Sequence, residues 1–390
     1  MAASEGAKLA ASFAAKVLTP GFSDARAARS PLLVPAAARE LLPEIGMDDI
    51  IDALCKGTRP ELGSTAAHGE APSDNVFKAY LDSATLSLHG AEHFLPWLLR
   101  LCQAMEPAFG FVSARLIVDG ERGRPQPVER DQLLVQLLGL QRLTLIRPVQ
   151  GLPVTAPRPQ PLLEGTLEAG DVLYVPACVD CRQAPSASRM PNVYVLVSLQ
   201  SAELSLEFSL CKFMADLLLE QPKSSEADAF FRTSVTRQTK RELKEKPELE
   251  GSVQRFAREL ASKVTAAGLR KHFESRMSQL RKEQTESVAE VQALGSSGPR
   301  VLSRSLLRMT RGVQCRCSAG SSRAFFTRGS DTMTLNIAAT ASAMLAQLSD
   351  GATYRLDALP CEDPIERICV CNVLMRKGCL ELVDFSPPNR

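Results

Sequence analysis

Apolar residues recur at helical spacing through much of the first hundred residues. Residues 7–42 predict a helix followed by a loop, and MDDIIDALCKG (47–57) predicts a short amphipathic helix. Residues 59–75 are rich in Gly, Ser, Pro and Ala and predict a loop. The segment DNVFKAYLDSATLSL (74–88) predicts a capped helix and then a strand. HFLPWLLRLCQAMEPAFG (93–110) predicts a helix that ends at a glycine.

From residue 112 to residue 199 the pattern changes to short apolar runs separated by Gly, Pro and Asp. These runs predict strands in SARLIVDG (113–120), DQLLVQLLG (131–139), QRLTLIRPV (141–149), GDVLYVPA (170–177) and NVYVLVSLQ (192–200). Many short strands joined by regular turns are typical of a small antiparallel barrel.

Beyond residue 201 the pattern becomes helical again. Four amphipathic or charged segments predict helices over residues 202–221, 224–246, 249–266 and 269–294, and GSSGP (295–299) predicts a linker. Residues 339–385 then predict a helix, a turn, a second helix, a glycine stop and a strand, the order found in winged helices. The sequence therefore predicts an α+β protein with three domains. They are a barrel with N-terminal helices (1–200), a helical block (201–294) and a winged-helix-like domain (295–390).

Composition narrows the class of protein only slightly. A net charge of +2 over 390 residues is too small to indicate a nucleic-acid-binding protein by itself. Eleven scattered cysteines, an odd number, favour reduced thiols in an intracellular protein. No apolar run approaches the ~20 residues that cross a bilayer, so no membrane partner is expected. The Ala-rich N-terminus, with its first arginine at Arg26, is a poor mitochondrial presequence and leaves the mitochondrion as an alternative location.

The strongest local charge lies after the predicted linker. Seven arginines occur without any acidic residue between Glu290 and Asp331, and Phe325 and Phe326 lie near the end of this segment. The arginines are Arg300, Arg304, Arg308, Arg311, Arg316, Arg323 and Arg328. Several are three or four residues apart and would line one side of a helix, which would suit contact with RNA phosphates or an acidic partner. The alternative is a solvated basic face that pairs with the acidic helices before it.

Four stretches in order carry a resemblance to a known family. They are FSDARAARSPLLV (22–34), QLLGLQRLTLIRP (136–148), GTLEAGDVLYVPACVDCRQA (165–184) and LPCEDPIERICVCNVLMRKGCLEL (359–382). Together they resemble the JmjC-type ribosomal oxygenases, which are Fe(II)- and 2-oxoglutarate-dependent protein histidyl hydroxylases. The resemblance covers nearly the whole chain from about residue 8, which leaves little room for a removable presequence. It implies a JmjC/cupin double-stranded β-helix barrel, a helical block that forms a homodimer, and a C-terminal winged helix.

The same resemblance implies a facial triad of His-x-Asp and a distal His around the iron. Alignment on Gln136 places Gln126 at the first histidine and Val128 at the aspartate. A gap of two residues would place Val128 and Arg130 there instead, and the distal histidine falls on Cys181 or Arg182. Gln141 aligns with the lysine that binds 2-oxoglutarate, and Ala114 aligns with an asparagine on the earlier strand.

The histidine count agrees with this loss. The four histidines are His68, His89, His93 and His272, so none lies between residues 94 and 271, where the barrel strands are predicted. We therefore expect no cofactor and a catalytically inactive barrel. The predicted function is a binding or assembly module of a ribosome or ribonucleoprotein, with a ribosomal protein or rRNA as partner and a nuclear or nucleolar location by resemblance.

An active hydroxylase remains the alternative. It would bind Fe(II) and 2-oxoglutarate through atypical ligands such as Cys181, Glu129 or Asp131. A third reading is a purely structural subunit of a ribonucleoprotein.

Other polar residues have both a functional and a structural interpretation. Cys178-x-x-Cys181 could be half of a zinc site or a redox pair, and partly buried structural thiols are the alternative. Glu129, Arg130 and Asp131 could bind a small anion, but their pattern favours a solvated turn before a strand. His89 and His93 flank a glycine, which favours helix-capping or surface positions.

Overall fold

The computed structural model describes most of the two ends of the chain and little of its middle. It covers residues 2–57, 65–68, 76–82, 84–119, 126–128, 130–147, 161–183, 190–199, 210–214, 254–255, 258, 261–293, 301–318, 321–338 and 340–383. The chain forms two compact units. One contains residues 1–199 and 284–390, and the other contains residues 200–283.

The N-terminal helices follow the hydrophobic pattern closely. They are α1 (Ala2–Val17), α2 (Pro20–Ala27), α3 (Met47–Gly57), α4 (Val76–Leu81) and α5 (Pro96–Phe109). The helix predicted at the start of residues 7–42 is two helices, because the Thr19 side chain caps α2 and a proline occupies its first turn.

Eleven strands of the first compact unit, among its described residues, form two antiparallel sheets. The strands are β1 (Leu32–Val34), β2 (Thr65–His68), β3 (Thr85–His89), β4 (Ser113–Asp119), β5 (Gln126–Val128), β6 (Gln132–Leu138), β7 (Gln141–Ile146), β8 (Pro161–Leu167), β9 (Val172–Val175), β10 (Val179–Gln183) and β11 (Asn192–Ser198). The larger sheet has the order β1-β9-β6-β11-β4-β3-β2, and the smaller has the order β5-β10-β7-β8.

All five strands predicted between residues 113 and 200 are present, and their antiparallel pairing is confirmed. The loop predicted over residues 59–75 is wrong at Thr65–His68, since β2 extends the larger sheet by pairing with β3. The sequence pattern predicts none of the strands β5, β8 and β10. Strands β5 and β10 are short and polar, and β8 (PLLEGTL) has a glycine and a glutamate at its centre, so none shows a clear alternation of apolar residues.

Buried side chains from both sheets form one hydrophobic cluster, so the sheets face each other. The cluster contains Ile117, Val128, Leu134, Leu143, Leu145, Leu167, Leu173, Val175, Val179, Cys181, Tyr194 and Leu196. We call it the inter-sheet cluster. The opposite face of the larger sheet packs with the N-terminal helices in a second, larger cluster. Alternate residues of β4 and β11 therefore serve two different cores.

The residues that follow the predicted linker form two small sheets and two helices. The sheets are β16-β12-β17 and β13-β14-β15. Their strands are β12 (Leu306–Met309), β13 (Val313–Arg316), β14 (Arg323–Arg328), β15 (Asp331–Asn336), β16 (Tyr354–Arg355) and β17 (Leu380–Leu382). Helices α7 (Ala341–Leu348) and α8 (Pro364–Arg376) precede β17. The predicted order of helix, helix, glycine stop and strand is confirmed, with Gly378 at a positive φ of 68°.

The helix predicted for the arginine-rich segment is wrong. Arg308 lies on β12, Arg316 on β13, and Arg323 and Arg328 on β14, whereas Arg300 lies outside the described residues. The spacing of three to four residues between arginines is therefore unrelated to a helical face.

The helix α6 (Ala266–Ala293) confirms the last helix predicted for the helical block. The three earlier predicted helices, over residues 202–221, 224–246 and 249–266, lie mostly outside the described residues. Helix α6 begins in the second compact unit and ends in the first, whose boundary is at Gln284.

Helix α8 packs against the N-terminal helices within the first compact unit. The Tyr80 hydroxyl on α4 donates a 2.7 Å hydrogen bond to Asp363, the N-cap of α8. The Arg376 guanidinium lies 5.0 Å from the ring centroid of Phe77, also on α4. Ser303 donates from its backbone and its hydroxyl to Asp48 on α3. Residues more than 250 positions apart in sequence are thus in contact.

Candidate functional site between the two sheets

The positions that resemble iron ligands meet at one cross-strand pair. Strands β5 and β10 are antiparallel, and Gln126 lies directly opposite Cys181 in their register, while Val128 lies opposite Val179. Directly opposite residues in such a pair have Cβ atoms about 4.5–5.5 Å apart. Positions 126, 128 and 181 are therefore neighbours in the fold.

The chemistry at these positions is not that of an iron site. Val128 and Cys181 are 5% and 7% exposed and belong to the inter-sheet cluster, which is otherwise almost entirely aliphatic. A facial triad needs two imidazoles and one carboxylate with open positions, whereas these positions carry an amide, an isopropyl group and a thiol. Among the described residues, no three His, Cys, Asp or Glu side chains lie close enough to hold a metal ion together. The residues present do not fit Fe(II).

The side chains of Gln136 and Gln141 are buried carboxamides near the turn that joins β6 to β7. Gln136 Nε2 donates to the Leu138 carbonyl at 2.7 Å and to the Asn192 side chain at 2.5 Å, and its Oε1 has no described partner. Gln141 is 2% exposed, and neither atom of its amide has a described hydrogen-bond partner. Gln141 alternates along β7 with Leu143 and Leu145 of the inter-sheet cluster, so it faces the same space.

A neutral amide at position 141 cannot form an ion pair with a carboxylate, unlike the lysine that the resemblance implies. The structure does not bring Ala114 to this space. Ala114 is buried in the larger cluster on the helix-facing side of β4, and its backbone N–H donates to Glu92 at 2.9 Å. Of the two positions that resemble 2-oxoglutarate contacts, only Gln141 faces the inter-sheet cluster.

Asp131 is a structural residue rather than part of a solvated turn, so that prediction is wrong for it. Its side chain is 16% exposed, accepts a 2.9 Å hydrogen bond from the Ala177 backbone and lies 3.4 Å from Arg26 Nε. Burial, followed by the charge of Asp131, raises the pKa of Tyr174 to about 12. Arg26 also stacks 5.0 Å from the Phe109 ring. These contacts tie α2 to the larger sheet; Arg130 is exposed, and Glu129 lies outside the described residues.

The remaining cysteine and histidine candidates are dispersed. Cys178 is exposed in a turn at a φ of 61°, whereas Cys181 is buried, and neither forms a disulfide. The two residues therefore have opposite surroundings. His89 is exposed at the end of β3, and His93 is half-buried in a 3₁₀ helix (Ala91–His93) beside Glu92.

Sequence inspection missed Glu92, the most unusual carboxyl group in this region. It is 2% exposed, and burial raises its pKa to about 7, although the hydrogen bond from Ala114 partly opposes that shift. The only signal in the sequence was a glutamate in the short segment between an apolar strand and an apolar helix. Its burial depends on Ala114, which is 22 residues away.

The seven candidate arginines do not form one cluster in the fold. Arg308 binds Glu381 across the β12–β17 pair, and Arg328 donates to the Gly378 carbonyl at 3.2 Å. Arg304 and Arg311 are exposed outside regular structure. Arg316 and Arg323 are exposed on the sheet β13-β14-β15, and this pair shares one face.

The helices within the described part of the chain include none with the length and apolar character of a membrane span.

Comparison with solved structures finds weak likenesses. The chain is similar to YcfD, a ribosomal oxygenase from Escherichia coli solved with cobalt and succinic acid, at 13% identity and a TM-score of 0.42. A structure of YcfD with cobalt and 2-oxoglutarate gives 12% identity and a TM-score of 0.41. Both likenesses cover 90% of this chain and 94% of YcfD.

Pumpkin seed globulin gives 15% identity and a TM-score of 0.22, over 35% of this chain and 29% of the globulin. TM-scores of 0.42 or lower do not establish a shared fold. No protein-family model and no curated protein matches the chain.

Proposed function

We propose that this chain is a non-catalytic relative of the JmjC-type ribosomal oxygenases that acts as a binding or assembly module in a ribosomal or other ribonucleoprotein particle. The proposal combines the four sequence stretches that resemble the family with the arrangement of strands and the residues between the sheets. Its partner would be a ribosomal protein or rRNA.

The strand arrangement supports a cupin-type architecture. Strands β4 to β11 are consecutive in the chain, and four of them lie in each sheet. Eight strands in two facing antiparallel sheets are the arrangement of jelly rolls and cupins. A double-stranded β-helix is therefore our proposal for residues 113–198. Helices α7 and α8 followed by β17 support a winged-helix-like domain over residues 295–390.

The observation that carries the loss of catalysis is the cross-strand pair of Gln126 and Cys181 beside the buried Val128. The family's mechanism would require two histidines and an aspartate at these positions. Position 126 carries an amide, and Val128 and Cys181 lie in an aliphatic cluster. These three residue types supply neither the charge nor the donors for Fe(II). Recognition of a peptide loop requires shape and hydrogen bonds but no metal, so binding can persist without chemistry.

Metal content and a calorimetric titration of 2-oxoglutarate in the presence of Mn²⁺ test the loss of catalysis. We expect no stoichiometric metal and no binding heat. One equivalent of metal together with micromolar binding of 2-oxoglutarate would overturn the proposal and favour an oxygenase with atypical ligands.

A matched variant makes that titration informative. The triple substitution Gln126→His, Val128→Asp and Cys181→His introduces the family's ligands at the three positions. If the positions are assigned correctly, the folded triple variant binds Mn²⁺ and the unaltered chain does not. A folded triple variant that binds no metal would contradict the assignment of these positions.

Association with ribonucleoprotein particles needs a separate test. We expect the purified chain to sediment with ribosomal particles at low salt. A chain that stays in the supernatant at every salt concentration would argue against the particle as partner. The helical block, residues 201–294, is proposed to form a homodimer, which sedimentation equilibrium measures directly. The proposed location is intracellular and nuclear or nucleolar.

A further inference from the structure

The three-stranded sheet β13-β14-β15 has one buried face and one exposed face. Its buried face includes Ala324, Phe326 and Leu335, which are at most 5% exposed and belong to the larger cluster. The other face carries the side chains that alternate with them. We call it the outer sheet face. It consists of Gln314, Arg316, Arg323, Phe325, Thr327, Thr332, Thr334 and Asn336.

Phe325 occupies the centre of the outer sheet face. Arg316 lies directly opposite it on β13, and Thr334 lies directly opposite it on β15. Arg323 and Thr327 precede and follow it on the same face of β14. Phe325 is 49% exposed, the largest exposed fraction among the large hydrophobic residues that the structure describes. Since the sheet already packs its other face, folding does not account for an aromatic ring at this position.

The charge of the outer sheet face is positive. Arg316 and Arg323 are exposed, neither is ion-paired with a described residue, and the eight side chains include no carboxylate. At the border of the face, Asn336 donates a 2.9 Å hydrogen bond to Asp82. The sequence around the face has no acidic residue between Glu290 and Asp331.

A sheet face with an exposed aromatic ring and flanking arginines matches the chemistry of single-stranded nucleic acid. Bases stack on aromatic side chains, and guanidinium groups pair with phosphates. The hydroxyls and amides of the face can hydrogen-bond base edges. An acidic peptide would use the arginines but would gain little from the central aromatic ring, so RNA explains more of the face.

We propose that the outer sheet face binds single-stranded RNA, with one base stacked on Phe325 and backbone phosphates held by Arg316 and Arg323. This surface goes beyond the proposed function of the two facing sheets, because none of its residues lies between them. If the outer sheet face did not bind RNA, the proposed loss of catalysis would still stand. If the chain proved to be an active oxygenase, the outer sheet face could still bind RNA.

Fluorescence anisotropy of a labelled 15-nucleotide oligouridine with the full chain tests the proposal. Stacking on an aromatic side chain contributes ~1–3 kcal/mol per base, so Phe325→Ala is expected to weaken binding roughly 5- to 150-fold. Phe325→Tyr should retain it. Phe273→Ala, on α6, is the matched control for an exposed phenylalanine, which is 36% exposed, and should change nothing.

The arginines have their own signature. Arg316→Ala and Arg323→Ala should each lower the affinity and reduce the slope of log affinity against log salt by about 0.7. Arg304→Ala, an exposed arginine away from the face, is the control. Phe325→Trp adds a direct optical test, because a base stacked on the new indole quenches its fluorescence.

Three results would overturn the proposal. The first is that folded Phe325→Ala binds oligouridine as tightly as the unaltered chain does. The second is that a duplex of the same length binds as tightly as oligouridine. The third is that a labelled polyglutamate peptide binds more tightly than oligouridine and that Phe325→Ala does not affect its binding. The last result would identify the face as a site for an acidic protein.

Discussion

Glu92 shows how burial changes a single residue of this protein. Its carboxyl group accepts backbone hydrogen bonds from Ala114 and from its own N–H and lies 3.8 Å from His93 Nε2. Burial outweighs these contacts, so ionisation is unfavourable in the folded state. The carboxyl group therefore holds its proton to a higher pH in the folded chain than in the unfolded chain. Stability must then depend on pH through this group.

We expect Glu92→Gln to abolish that dependence. The unfolded chain releases the proton near pH 4.5 and the folded chain near pH 7, so the contribution of Glu92 is complete below pH 4.5 and lost as the pH rises through 7. The shift corresponds to roughly 3 kcal/mol. Urea unfolding at pH 5 and pH 8 measures it, with the exposed Glu164→Gln as control. An equal difference between variant and parent at both pH values would contradict the assignment.

Asp363 combines two stabilising roles at the start of α8. It accepts hydrogen bonds from the backbone of Ile365 and Glu366 at 2.8 and 3.0 Å, and from the buried Tyr80 hydroxyl. Burial is the main cause that raises the pKa of Asp363, with its hydrogen bonds opposing the shift. One side chain thus caps a helix and joins it to α4.

We expect Asp363→Ala to destabilise the first compact unit by roughly 2–4 kcal/mol, through loss of the cap and an unpaired tyrosine hydroxyl. Asp363→Asn should cost less because it keeps an acceptor. Adding Tyr80→Phe to Asp363→Ala should recover part of the loss, since it removes the unpaired hydroxyl. Strictly additive free energies of unfolding in this double-mutant cycle would show that the two residues do not interact.

Only some of the residues around the site between the two sheets could be assigned from the sequence. The alignment assigned Gln126 and Cys181 to one predicted site, and the two residues lie opposite each other in the β5–β10 register. Asp131 could not be assigned in the same way. Its partners Ala177 and Arg26 are 46 and 105 residues away, and nothing in the local sequence reports such contacts.

At the scale of elements, two glycines with positive φ lie in the turns that join β6 to β7 and β14 to β15. Gly139 joins β6 to β7 with a φ of +79°, and a Cβ there would lie 2.3 Å from the Pro191 carbonyl oxygen. Gly329 joins β14 to β15 at a φ of +60° with nothing within 4 Å of a Cβ. The two glycines share a backbone conformation and differ in crowding.

We therefore expect Gly329→Ala to cost roughly 1–2 kcal/mol, the cost of the left-handed conformation for a residue with a side chain. Gly139→Ala should cost roughly 2–5 kcal/mol, because the clash with Pro191 adds to it. Thermal or urea unfolding of both variants gives the comparison. Equal costs would mean that the β11 backbone yields to the new methyl group.

The arginine-rich segment shows why element type is hard to read from charge spacing. Arg304, Arg308 and Arg311 have the spacing of one helix face. Arg308 nevertheless lies on strand β12, and buried and exposed residues alternate along the neighbouring segment β14. Gly312 lies in the turn before β13, and Gly329 lies in the turn between the paired strands β14 and β15. The alternation of buried and exposed residues is that of a strand, and the arginines therefore lie on different strands and turns rather than on one helix face.

At the scale of the whole molecule, the first compact unit draws on both ends of the chain. Helix α8 and the N-terminal helices share one cluster, which includes Phe77 and Ile365. The three-part division of the sequence anticipated the order of the elements. It did not anticipate these contacts, since side-chain packing between distant segments leaves no periodic signal.

We expect the two ends to unfold together. Trp97 is the sole tryptophan and is buried on α5, so its fluorescence reports the N-terminal region. Asp363→Ala, which lies in the C-terminal region, should lower the urea midpoint reported by Trp97 as much as it lowers the midpoint reported by a dye attached to the exposed position 325. An unchanged Trp97 midpoint would indicate independent domains.

This sharing of one core imposes an order on biosynthesis. Residues 1–199 leave the translating ribosome before the helix that covers Phe77 and Tyr80 has been made. At ~5–20 residues per second, translation from residue 199 to residue 383 lasts roughly 10–40 s. During that interval the N-terminal segment exposes an apolar surface meant for α8. We therefore expect the nascent chain to be prone to aggregation until its last helix emerges.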